Sequence, residues 1–164
     1  MVALAKRSEV SDHWVDAGPF RAQLRYLMAS GSLTVEDVAA VAGISARVAN
    51  RLLHGRDGRP LRRISPDTAR RLIQVSDQHV QALRRIMVPA APARLQLRRL
   101  YRAGWDDLAT AQRVCVAVPE LVELATGADT CSLLLTVRLT AAAGAEDGLR
   151  YGSRLGWRTD EAAA

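Results

Sequence analysis

The residues best suited to chemistry lie between Ser45 and Arg63. Arg47 and Asn50 stand three apart, as neighbours on one helix face would, and Ser45 precedes them. A guanidinium fork matches guanine O6 and N7, and a carboxamide matches adenine N6 and N7, so this pair has the chemistry of base-edge readout. Arg51 follows, then Arg56, Arg59, Arg62 and Arg63 in a loop with Gly58 and Pro60. Such a loop suits a phosphate backbone, which gives salt-sensitive affinity without sequence preference. The expectation is that Ala46, Arg47 and Asn50 face bases, and that Ser45, Arg51, Arg56, Arg59, Arg62 and Arg63 reach phosphates. The alternative is a helical hairpin carrying solvated arginines.

The segment Leu33–Gly55 (LTVEDVAAVAGISARVANRLLHG) must position these groups. Thr34 with Asp37 three residues on forms a capping box for a helix over 35–42, with Val38 and Val41 turned inward. Ala39 allows close helix approach, Gly43 fits a left-handed turn, and Ile44 plugs the core. Ser45 caps a second helix over 46–53, and Gly55 ends it. Ser65 and Pro66 open another helix as cap and first residue. Over Arg21–Val75 ten arginines stand against four acids, a balance of +6 that equals the net charge of the whole chain.

The pattern resembles the helix-turn-helix of lambda-repressor-like regulators. The resemblance implies that the second helix lies in the major groove with its N-terminal half against base edges.

The unit recurs. Arg21–Gly31 (RAQLRYLMASG) and Arg94–Gly104 (RLQLRRLYRAG) agree at six of eleven positions, at an offset of 73. Ala39/Ala111, Ile44/Val116, Leu52/Leu124 and Gly55/Gly127 continue at 72. The second copy, Gly104–Gly127, keeps the apolar frame but not the surface. Cys115 stands for the turn glycine, Ala117 for the capping serine, and Pro119, Glu120 and Glu123 occupy the helix that would face DNA. Over Gly104–Ala145 two arginines meet five acids, a balance of −3. A structural, dimerising or partner-binding role is therefore favoured for this copy. Arg94, Arg98, Arg99 and Arg102 keep a second DNA surface in play.

The whole plan resembles tandem helix-turn-helix DNA-binding proteins of actinobacteria and their phages. The likeness rests on Arg63–Val75 (RISPDTARRLIQV), Ala93–Trp105 (ARLQLRRLYRAGW) and Arg150–Trp157 (RYGSRLGW). It implies an all-α fold of two helix-turn-helix units joined by a helical, proline-containing linker. The expected divisions are an N-terminal tail 1–17, a DNA-reading domain 18–88, a linker 89–93, a diverged unit 94–145 and a basic-aromatic tail 146–164.

Aromatics make up only 4% of residues, and Ala, Leu and Val dominate the apolar set, which favours helices over a β-sandwich. No apolar run approaches the ~18 residues of a membrane span, and the N-terminus lacks a signal peptide's apolar core, so a cytoplasmic location and no membrane partner are expected. A net charge of +6 permits nucleic acid binding without selecting it, and the arginine bias also follows from a GC-rich genome. Cys115 and Cys131 are expected as reduced, structural thiols of the core. There is no P-loop, dinucleotide turn or zinc signature, so neither a cofactor nor an enzyme is expected. His54 is expected in solvent or at a phosphate, Trp105 in the core and Trp157 clamping the tail, with Trp14 left open. These readings converge on a sequence-specific, repressor-like transcriptional regulator bound to double-stranded DNA, with dimerisation or a protein partner through the second unit. The alternatives are a protein-interaction module of antitoxin or antirepressor type and an architectural factor for phage recombination or excision.

Overall fold

A computed structural model describes residues 14–56 and 58–154, with side chains described as far as Asp147. The chain runs β1 (Val15–Asp16), α1 (Gly18–Gly31), α2 (Val35–Ala42), α3 (Ala46–His54), β2 (Arg63–Ile64), α4 (Pro66–Ile73) and α5 (Asp77–Arg85). It continues through β3 (Met87–Pro89), α6 (Ala91–Arg102), α7 (Asp107–Val114), α8 (Val118–Thr126), β4 (Thr130–Ser132) and α9 (Leu133–Arg154). The fold is all-α, and its strands are two antiparallel pairs of two or three residues each, β1 with β2 and β3 with β4.

One order of elements occurs twice: strand, three helices, strand, helix. Helices α2 and α7, and likewise α3 and α8, coincide at an offset of 72. The correspondence reaches single hydrogen bonds. Ala17 N–H donates to Arg62 O, and Ala90 N–H to Asp129 O, each at 2.9 Å. Arg21 donates to the carbonyls of Leu52 and Leu61, as Arg94 does to that of Ala128. Arg71 on α4 donates to Gly43 O at 2.7 Å, and Arg138 on α9 to the equivalent Cys115 O at 3.3 Å.

Each copy has its own apolar core. Leu24, Leu27, Val38, Ala49, Leu52, Leu72 and Val80 fill the first; Leu97, Leu100, Val114, Leu121, Leu124 and Leu139 fill the second. Helix α9 serves both. Leu134 packs in the first core and its neighbour Leu135 in the second, and α9 lies against α2, α5, α6 and α7.

The expected linker at 89–93 is no free connector. Pro89 ends β3, Ala90 and Ala93 are fully buried, and Pro92 lies in the first turn of α6, where proline's missing N–H leaves no helix bond unmade. The expected tails also differ. Val15 and Asp16 pair with β2, Ala17 is buried, and α9 carries 146–154 as continuous helix. Trp157 and the rest of 155–164 lie outside the described residues.

Candidate nucleic-acid interface

Local chemistry sets α2 and α3 as the sequence requires. Thr34 Oγ1 accepts from Asp37 N–H at 3.2 Å while Asp37 Oδ2 accepts from Thr34 N–H at 2.9 Å, closing the capping box. Gly43 ends α2 at φ +66°, in the left-handed region that favours glycine. Ser45 Oγ then accepts from Val48 N–H at 3.2 Å and starts α3. Ala49 and Leu52 turn into the core, leaving Ala46, Arg47, Arg51 and His54 exposed. Of the expected base-facing residues Ala46 and Arg47 are open to solvent and Asn50 is half-buried.

Beyond α3 the chain folds into a tight turn. Arg56 and Arg59 exchange backbone hydrogen bonds of 2.9 Å in both directions. Gly55, at φ +82°, permits it: a Cβ there would sit 2.1 Å from Arg59 O. Arg56, Arg59, Arg62 and Arg63 are exposed along this turn and β2, and Arg63 lines one recess with exposed Arg51 of α3. Trp14, 60% exposed, covers a recess shared with Val48, Arg51, Arg63 and Thr68. Its place beside these arginines was not visible in the sequence, because it depends on the β1–β2 pairing.

Two site residues have structural engagements that sequence reading missed. The Asn50 amide nitrogen lies 3.1 Å from Ala46 O and 3.5 Å from Glu36 Oε1. Arg94, expected on a second DNA surface, is half-buried and donates to Ala128 O at 2.6 Å. Arg98, Arg99 and Arg102 are exposed on α6, with Arg99 donating to Gln96 at 3.3 Å.

The second copy presents a different face at the same backbone positions. Val118, Pro119, Val122 and Glu123 stand where Ala46, Arg47, Asn50 and Arg51 stand in the first. Leu108 and Val122, 59% and 41% exposed, replace the polar pair Glu36 and Asn50. Cys115 adopts φ +51° in place of Gly43, and Ala117 caps α8 without a side-chain bond.

A buried cluster joins the copies. Asp37, fully buried, lies 3.9 Å from both Arg138 Nε and Arg113 Nη1. Arg138, 4% exposed, donates to Gly31 O and Ser32 O at the end of α1 and to Val114 O and Cys115 O at the end of α7. Its guanidinium thus neutralises the carbonyl-rich ends of two helices, one from each copy. Burial draws the Arg138 pKa below its ordinary value, and the Asp37 carboxylate opposes that shift.

Among the described residues there is no group of His, Cys, Asp or Glu placed to hold a metal ion, and no helix long and apolar enough to cross a membrane. Comparison with protein-family models, curated proteins and solved structures finds no match to this chain.

Proposed function

We propose that this protein is a sequence-specific binder of double-stranded DNA, a repressor-like transcriptional regulator rather than an enzyme, with α3 in the major groove. The observation that carries this reading is the exposure of Arg47 and Arg51 on α3 together with Arg56, Arg59, Arg62 and Arg63 in the turn and strand that follow, with Arg51 and Arg63 lining one recess. Arginine on a short, well-capped helix can reach base edges, while the turn beside it follows the phosphates. The resemblance of its sequence motifs to tandem helix-turn-helix proteins of actinobacteria and phages supports the same reading.

Binding to duplex DNA tests it. Neutralising three to five phosphates gives a log–log salt slope of roughly −3 to −5. Arg47→Ala should cost ~1–3 kcal/mol on the preferred site and far less on random DNA, whereas Arg62→Ala should weaken both about equally. Salt-independent binding, or identical behaviour of the two variants, overturns the assignment.

A second reading concerns the second copy alone. Exposed Leu108 and Val122 beside Glu120 and Glu123 favour protein over phosphate as its contact, either a second copy of this chain or another protein. Sedimentation of the purified chain distinguishes a self-partner: Val122→Glu should convert a dimer to a monomer.

A further inference from the structure

The Asn50 amide is not free to choose its orientation. Its nitrogen faces Ala46 O at 3.1 Å and Glu36 Oε1 at 3.5 Å, and a backbone carbonyl and a carboxylate can only accept. Exchanging the amide's oxygen and nitrogen would set oxygen against two acceptors, so the network fixes the NH2 inward. Oδ1 is left as the atom with no partner in the protein among the described residues.

Glu36 is itself held from the second copy. Its Oε2 lies 3.5 Å from Arg113 Nη2, and Arg113 also donates to Thr34 Oγ1 at 3.2 Å. The two side chains are 20% and 26% exposed, so solvent screens this contact less than one on an open surface. A chain of contacts therefore runs from α7 through Glu36 on α2 to Asn50 on α3.

We propose that Arg113 and Glu36 are positioning residues that hold the Asn50 carbonyl oxygen outward, so that Asn50 accepts a hydrogen bond from the exocyclic amine of adenine or cytosine. This rests on the DNA-binding reading above. In the major groove adenine N6 and cytosine N4 donate, whereas guanine O6 and thymine O4 accept and would oppose Oδ1. The bidentate contact with adenine expected from residue type needs a free N–H, and both are engaged. The resulting code at this position is amine against keto. The second copy thereby takes part in specificity without touching DNA.

Selection from randomised duplexes with the full chain tests this. The position read by Asn50 is the one at which Asn50→Ala loses its preference. There the wild type should favour adenine or cytosine over guanine or thymine on one strand, by roughly 2- to 13-fold, the worth of a single hydrogen bond. Glu36→Ala and Arg113→Gln should release the amide and replace that code with adenine alone or no preference, leaving other positions unchanged. Arg113→Lys should retain part of it. Should Arg113→Gln fail to fold, Glu36→Gln keeps the side chain's size and removes the charge that Arg113 grips. An unchanged preference in these variants, selection of guanine or thymine by the wild type, or uniform weakening at every position with a lowered Tm overturns the inference alone. Failure of the wild type to select any duplex overturns the DNA-binding reading, and this inference with it.

Discussion

Replacing Arg138 by alanine should be among the most damaging single changes in this protein. The side chain is 4% exposed, faces the fully buried Asp37 at 3.9 Å and donates to four carbonyls at the ends of α1 and α7. Removing one member of a buried pair strands the other, at a cost of about 3–5 kcal/mol. Against a total stability of about 5–15 kcal/mol that is about a fifth of the folding free energy at the least. At about 2–4 °C per kcal/mol for a chain of this size, the Tm should fall by roughly 6–20 °C. Urea unfolding followed by far-ultraviolet circular dichroism reads the loss directly. Arg138→Met should fare little better, since it fills space but strands the same groups. Arg138→Lys keeps the charge with fewer directed donors and should fall between. In the double variant Asp37→Asn with Arg138→Met the costs should be less than additive, because no unpaired charge remains. A loss below about 1 kcal/mol for Arg138→Ala would refute the view that this cluster holds the two copies together.

Three further outcomes follow from particular positions. Gly55→Ala places a Cβ 2.1 Å from the Arg59 carbonyl oxygen at φ +82°; the conformation alone costs about 1–3 kcal/mol, and thermal melting should show at least that loss. Cys115→Gly should stabilise the protein by up to about 1 kcal/mol, since exposed Cys115 holds φ +51° where the first copy has Gly43; a lowered urea midpoint would contradict this. Tyr101 donates to Asp107, and burial, then that hydrogen bond, pushes its pKa from 10.0 to about 12. The folded state then holds this proton more tightly than the unfolded chain, so the contribution is whole below about pH 10 and is lost as pH rises towards about 12. Tyr101→Phe should flatten the fall in stability across that window.

Much of the first copy was legible from residue types. Thr34 with Asp37, Ser45, Ser65 and Gly43 act locally, and local hydrogen bonding and φ requirements are written in adjacent residues. The duplication was legible because apolar spacing and terminal glycines recur. The strands were not, since two- or three-residue strands have no period to detect. Helix α9 crosses the boundary expected at 145/146, because Gly144 sits within the helix with open space around it and does not end it. Pro89 and Pro92 resembled a linker because proline marks both connectors and element ends. Arg113 and Arg138 carry no local mark at all. Arg113 reaches Thr34 across 79 residues and Arg138 reaches Gly31 across 107, and only the packed chain distinguishes them from solvated arginines.

The sharing of α9 bears on the order in which the chain matures during synthesis. The first core includes Leu134, and its buried acid, Asp37, meets Arg113 and Arg138. Translation delivers about 5–20 residues per second. The interval between the appearance of Ile73 and that of Arg138 is therefore several seconds, long beside helix formation. Until Arg113 is made Asp37 has neither of its cations, and until Leu134 and Arg138 follow the first core lacks its α9 side chain and the second cation. The core beneath the arginine-rich segment is thus completed by side chains that are synthesised last, so its full stability belongs to the finished chain.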